Sequence, residues 1–383
     1  MPEFAIRTRT IYGAGCIKEL GKHAKEQGAR HVLIVTDPGV RRAGIVQHVE
    51  ASLREFGVAF TVFDDVTPNP TDGQVDRGVQ VAREVGADLL CAVGGGSAID
   101  AAKGIAVVLA NGGEAKQWLF KPGQGGLPPK PIGPFYAVPT TTGTGSEISG
   151  AAVITEEATH HKLLVLNCTP HMAFLDPELV AGMPPAITAA TGMDALTHAI
   201  EAYVNPGRTP FTKMFATDAI RSIARSLPEA VNGPDRRRAI EEMQFASNIA
   251  GHSMAVGLGK VHGMSHCVSG RRDVAHGVAN AILLTAVMGY HREQLAPNLR
   301  EIGHLMDLNT FGMSVEDAAD HTVKAIAKLR DDVGIPAKLG DVGVQEADIE
   351  TLVQDALTSQ LVFIHHPVPS TPEMLTAIYK SAL

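Results

Sequence analysis

The chain has 383 residues, a formal net charge of −8, 45% hydrophobic residues and 19% charged residues. That composition excludes a disordered or fibrous chain, and without a basic block it carries no electrostatic footprint for nucleic acid or an anionic membrane. Four scattered cysteines, Cys16, Cys91, Cys168 and Cys267, form no C-x-x-C pair, which argues against a disulfide framework or zinc knuckle and for a reducing compartment.

At roughly 100–200 residues per domain the length predicts two domains. Residues 4–12 read as a strand able to pair with a second subunit. From Arg30 the pattern alternates β-branched runs with amphipathic stretches: HVLIVTD, RRAGIVQHVEASLREFG, AFTVFDD, a second helix, then DLLCAVGGGS. This is βαβαβ, hence a parallel sheet whose ligands sit at the carboxyl ends of its strands. Asp37, the turn at residues 67–70 and the turn at residues 94–97 are therefore expected to face one crevice. FYAVPTT, AAVITEE and KLLVLNC form a further strand-rich block, and residues 125–134 read as a loop. After Met183 Ala-rich helical segments take over, broken near Asn205-Pro206-Gly207, Asn232-Gly233-Pro234 and Gly334-Ile335-Pro336. The boundaries read as 1–182, α/β, and 183–383, all-helical. The N-terminus shows no signal-type apolar stretch, and the longest apolar segment, around residues 278–290, falls short of the ~20 residues of a spanning helix. The expectation is a soluble, cytoplasmic protein acting on a small molecule.

The turn GGGSAID at residues 94–100 follows an apolar strand and opens a helix. Glycines there let a pyrophosphate approach backbone N–H groups at the positive end of the helix; a plain tight turn is the alternative. PTTTGTGSE at residues 139–147, again after a strand, offers hydroxyls and amides suited to phosphate, ribose or amide contacts, or else a capping loop. Asp37 ends HVLIVT, where a carboxylate accepts from ribose hydroxyls and repels a 2′-phosphate, favouring NAD over NADP; a turn aspartate before Pro38 is the competing reading.

In TGMDALTHAIE, Asp194 and His198 are one helical turn apart on one face, as metal ligands on a bundle helix must be; taken alone, the same spacing also fits a solvated helix pair. Three more histidines, His262, His266 and His276, fall within fifteen residues of an apolar segment. Spacing pairs His262 with His266, but the residues alone do not decide which two of the three bind metal.

Together GGGSAID, PTTTGTGSE, PPAITAATGMDALTHAIEAY and GLGKVHGMSH followed by AHGVANAILL resemble, in order and along essentially the whole chain, the iron-containing (group III) alcohol dehydrogenase family. The resemblance implies a Rossmann-like dinucleotide-binding domain facing an all-helical, dehydroquinate synthase-like metal domain across a cleft. It implies metal ligation by Asp194, His198, His262 and His276, with His266 beside substrate and cofactor without coordinating; a proton relay at His266 is a separate hypothesis. It further implies cofactor contacts at Asp37, Asn69, Gly95, Gly96, Ser97, Asp100, Thr140, Thr141, Thr144 and Lys162. The expected cofactors are NAD and Fe(2+), with Zn(2+) or another divalent ion compatible with the donors. The expected substrate is a small primary alcohol, diol or aldehyde, and the expected assembly a homo-oligomer, a dimer first.

Between His266 and His276 the chain departs from the family pattern, reading CVSGRRDVA instead of an aromatic, Gly-rich stretch with a proline. Arg271 and Arg272 there suggest, as an alternative, an anionic hydroxy substrate bound by guanidinium; the bland reading pairs Arg272 with Asp273. A dehydroquinate synthase-type lyase is the other class considered, and it lacks the basic phosphate-binding set it would need.

Overall fold

The computed structural model describes residues 4–121, 123, 125–358 and 365–383. The chain divides into two compact units, Met1–Gly182 and Met183–Leu383.

The first unit is built on a six-stranded parallel sheet in the order β1-β8-β5-β4-β2-β3. Its strands are β1 (Arg9–Tyr12), β2 (His31–Val35), β3 (Ala59–Phe63), β4 (Leu89–Gly94), β5 (Phe135–Pro139) and β8 (Met172–Leu175); β6 (Ala151–Thr155) and β7 (Lys162–Leu166) form a separate antiparallel pair. Central strands β4 and β5 are uninterrupted apolar runs because both of their faces are covered. Alternate residues feed two cores. Leu33, Val35, Leu90 and Ala92 pack with residues of α4 (Asp72–Glu84) and α5 (Gly96–Asn111). Val32, Ile34, Leu89, Cys91 and Val93 pack on the other side with α1 (Leu20–Glu26) and α3 (Val46–Glu55). Two short helices, α2 (Pro38–Arg42) and α6 (Pro177–Val180), follow β2 and β8. From β2 the chain moves outward to β3, then returns to β4 on the opposite side of β2. The sheet therefore reverses direction between β2 and β4, the place where open α/β sheets bind ligands.

The N-terminal strand is shorter than the pattern suggested: only Arg9–Tyr12 is paired. The ladder's last bond runs from Arg9 N to His171 O at 3.0 Å; His171 N donates to Phe135 O at 2.9 Å, and Thr8 donates its hydroxyl to the Pro170 carbonyl at 2.7 Å.

The second unit has no strand among the described residues. Its helices are α7 (Pro185–Val204), α8 (Pro210–Asn232), α9 (Arg236–Ser253), α10 (Lys260–Arg272), α11 (His276–Tyr290), α12 (Ala296–Leu305), α13 (Val315–Asp332), α14 (Ile349–Thr358) and α15 (Pro372–Ala382). α7 starts on a proline at its first turn and is buried without interruption from Gly192 to Val204. It packs against α8, α9 and α11, and so forms the spine of the unit. Among the described residues no helix is long and apolar enough to cross a membrane.

Candidate functional site

In the second unit α7 carries Asp194 and His198, α10 carries His262 and His266, and α11 carries His276 and Asn280. Donor atoms of Asp194, His262 and His276 lie within 4.8 Å of one another. Asp194 Oδ1 is 3.4 Å from His262 Nε2, 3.6 Å from His276 Nε2 and 3.7 Å from His198 Nε2. His198 stands outside the tightest group and stacks on His262, ring centres 4.6 Å apart. Asp194, His198 and His262 are buried, whereas the His276 side chain is 29% exposed, the open side of the cluster.

The donor set fits a cation. Asn280 Nδ2 sits 2.6 Å from Asp194 Oδ1 and 3.0 Å from both His262 Nε2 and His276 Nε2. An amide nitrogen has two hydrogens, so it cannot satisfy three acceptors at once. Asp194 Oδ1 and the Nε2 atoms of His262 and His276 converge on a single region, where a cation would take the place of any ring hydrogen. One carboxylate with imidazoles is the chemistry of a first-row divalent ion rather than of Mg(2+) or Ca(2+). Burial pushes the Asp194 carboxyl up, but His198, His276 and His262 outweigh it and hold the group well below the usual carboxylate range. Burial pulls His262 down, yet hydrogen bonds to Asp194 and Glu201 overcome this and raise it to about 9.

His266 is buried beside the cluster, its ring 5.0 Å from that of His276 and edge-on to that of His262 at 6.2 Å. Helical spacing alone paired it with His262; the converging group contains His276 in its place. Glu201 and Asn280 escaped the sequence reading. Both were detectable, since Glu201 lies seven residues after Asp194 on the same α7 face, and Asn280 one turn after His276.

Arg271 and Arg272 have partners. Arg271 makes a bidentate pair with Asp355 at 2.6 and 2.9 Å, and Arg272 a bidentate pair with Asp348 rather than with the adjacent Asp273. Their guanidinium groups are engaged in tying α10 to α14 and the turn before it, which removes the observation that motivated an anionic substrate.

In the first unit the two loop motifs meet. Gly95 is the N-cap of α5, and a Cβ on it would lie 3.0 Å from the Thr141 methyl; a Cβ on Gly96 would lie 3.0 Å from the Thr144 methyl. Only glycine leaves that backbone bare. Thr140 N donates to Gly94 O at 3.0 Å, and the buried hydroxyls of Thr141 and Thr142 have no hydrogen-bond partner among the described residues. Exposed amides at the start of a long helix beside unanswered hydroxyls suit a pyrophosphate. Asp37 caps α2, its Oδ1 accepting from Gly39 N and Val40 N at 2.8 and 3.0 Å, while Oδ2 points toward Gly94. The turn-capping reading of Asp37 is borne out, and its second oxygen lies on the side of the Gly94 turn. Ser97 donates its hydroxyl to Pro68 O, bringing the segment with Asn69 to the same turn.

Asp100 faces inward. Its oxygens accept from Ser146 Oγ at 2.5 Å and Val153 N at 2.9 Å, and Lys103 Nζ lies 3.8 Å away. Burial raises its pKa, opposed by the charges of Lys103 and, more weakly, Lys162 on β7. Lys103, fully buried, was not singled out from the sequence; it donates to Ser146 Oγ, Ser149 Oγ and Ala151 O at 3.0, 2.9 and 2.7 Å.

Residues 7–177 match the family described as iron-containing alcohol dehydrogenase, and residues 188–383 match its C-terminal domain. The NAD-dependent methanol dehydrogenase of Bacillus methanolicus is 37% identical over the whole of both chains. Lactaldehyde reductase of Escherichia coli (strain K12) is 39% identical over 97% of each chain. A crystal structure of 1,3-propanediol oxidoreductase superposes with a TM-score of 0.94 at 36% identity, covering 100% of both chains. None of these supports the anionic-substrate or lyase alternatives. The chain belongs to the iron-containing alcohol dehydrogenase family.

Proposed function

We propose that this protein is a metal-dependent alcohol dehydrogenase and aldehyde reductase, transferring hydride between NAD(H) and a small primary alcohol, diol or the corresponding aldehyde. The observation that carries the reading is the convergence of Asp194, His262 and His276 on one point, with His198 adjoining through Asp194. These four would hold the divalent ion, Fe(2+) first by family and Zn(2+) or another ion by donor type. When bound, such an ion supplies Lewis acidity that eases deprotonation of an alcohol and polarises an aldehyde carbonyl.

The chain's own residues supply the rest. Residues 1–182 form the cofactor domain: Gly95, Gly96 and Ser97 receive the pyrophosphate, Asp37 accepts from the ribose hydroxyls and disfavours a 2′-phosphate, and Asn69, Thr140, Thr141, Thr144 and Lys162 complete the contacts. The bonds already made by Asp100 give it a supporting place in that set. Residues 183–383 form the metal and catalytic domain, where His266 passes the proton released from the alcohol. We assign the protein to the cytoplasm, in keeping with its four free thiols, and favour a homodimer formed along β1, an edge strand whose Tyr12 is 73% exposed.

The test is anaerobic purification with metal analysis, then NAD(H) and NADP(H) assays over alcohols, diols, aldehydes and anionic hydroxy compounds, with Asp194→Ala in parallel. Stoichiometric metal and NAD-linked turnover on small alcohols, both lost in the variant, is the expected result. Full turnover by metal-free protein would end the proposal. His266→Ala should keep its metal and lose turnover.

A further inference from the structure

We infer that Glu201 is a positioning residue of the metal centre: its carboxylate fixes the tautomer and orientation of His262 while holding the N-terminus of α10 against α7. The inference rests on the metal-centre reading above.

Glu201 is buried on the α7 face that carries Asp194 and His198, and no Lys or Arg ion pair with it is found among the described residues. Its charge is answered by three donors on α10 and the residue before it. Oε1 accepts from Val261 N at 2.6 Å, and Oε2 accepts from Gly259 N at 3.1 Å and lies 2.6 Å from His262 Nδ1. A carboxylate only accepts, so Nδ1 of His262 must carry the hydrogen. That leaves Nε2, 3.4 Å from Asp194 Oδ1, as the ring nitrogen that would face the ion once a metal displaces its proton. A carboxylate behind a ligating imidazole sets the tautomer, locks the ring and makes the nitrogen a better donor. The two backbone bonds do a second job, because the same oxygens meet unpaired N–H groups at the start of α10. One group therefore links the ring's angle to the helix's position. Gly259 is part of the device: a Cβ there would come within 2.6 Å of Glu201 Oε1.

Glu201→Gln preserves volume but offers an amide NH2 where the oxygen stood. Either that NH2 donates to Nδ1, moving the ring hydrogen to Nε2, or it opposes the N–H groups of α10. Gly259→Ala leaves the carboxylate in the chain and displaces it. The experiment strips the full-length protein with a chelator, then measures Zn(2+) affinity by competition with a chromophoric chelator and the visible spectrum of the Co(II)-loaded protein. Apparent affinity should fall 10–100-fold in Glu201→Gln, as for other groups that orient metal ligands, and at least several-fold in Gly259→Ala. The Co(II) bands should shift in both. If the carboxylate merely caps α10, the variants will lower the melting temperature of the metal-free protein and leave affinity and spectrum at wild-type values, which would overturn the inference. Asp194→Ala separates the two levels. If it binds Zn(2+) as wild type does, the metal-centre reading falls and takes this inference with it. If it loses the metal while Glu201→Gln keeps wild-type affinity and spectrum, only the positioning role falls.

Discussion

Gly277 is where α11 touches α7 backbone to backbone, and it follows His276 directly. A Cβ on Gly277 would lie 2.1 Å from Ala190 O and 2.6 Å from Ala190 C. Comfortable non-bonded separations are about 3.5 Å, so α11 must retreat from α7 by roughly 1.4 Å to admit a methyl group. The obstacle is main chain inside α7, which cannot rotate away. Ligand distances in metal sites tolerate about ±0.2 Å. A shift of that size therefore pulls His276 out of range of the ion that Asp194, on α7, would share with it. Gly277→Ala is expected to lower the stability of the metal-free protein by about 1–3 kcal/mol through overpacking and to weaken Zn(2+) binding more than about tenfold. Urea denaturation and chelator competition measure the two quantities. Gly192→Ala is the matched control on α7: its Cβ would meet Leu227 Cδ1 at 2.3 Å and Met243 Cε at 3.0 Å, the ends of flexible side chains that can move. It should keep its metal affinity. Wild-type affinity in Gly277→Ala would show that the α7–α11 contact does not set the ligand geometry.

Lys103→Met removes the cation 3.8 Å from buried Asp100 and takes one donor each from Ser146, Ser149 and the Ala151 carbonyl. Breaking such a pair should destabilise the first unit by about 3–5 kcal/mol in urea denaturation, and a loss under about 1 kcal/mol would mean the network is hydrated instead. Asp37→Ala deletes the carboxylate and the α2 cap together. It should raise the NADPH-to-NADH ratio of kcat/KM about tenfold or more, like charges being costly at close range, and an unchanged ratio removes Asp37 from cofactor discrimination. Arg271→Ala breaks a half-exposed pair with Asp355 and should cost at most about 1 kcal/mol while leaving the ranking of alcohols over anionic hydroxy compounds intact.

The parallel sheet was readable because buried parallel strands write themselves as unbroken apolar runs, as in LLCAVG and FYAVP. Residues 4–12 were read as too long a strand for the opposite reason: their alternation continues past the point where His171 gives its N–H to Phe135 and the ladder with β8 stops. Both loop motifs were visible as strings, but not that Thr141 and Thr144 of the second pack onto Gly95 and Gly96 of the first. Nor did Asp100 announce that its oxygens are used inside the protein, since a carboxylate at a helix start reads alike whether it faces a ligand or a buried lysine.

The metal cluster divides along the same line. Asp194, His198 and Glu201 share one straight helix, so the 3.6-residue period places them together without knowledge of any other element. Choosing between His266 and His276 needs a different kind of information. α10 ends at Arg272, Asp273 takes a left-handed conformation with φ 52°, and α11 starts at His276. That reversal carries His276 to a ring distance of 5.3 Å from His262, while His266, one turn along the same helix, remains at 6.2 Å. Periodicity ranks residues within an element; only the turn between α10 and α11, together with the glycine that lets α11 lie against α7, decides which histidine from the next element completes the group.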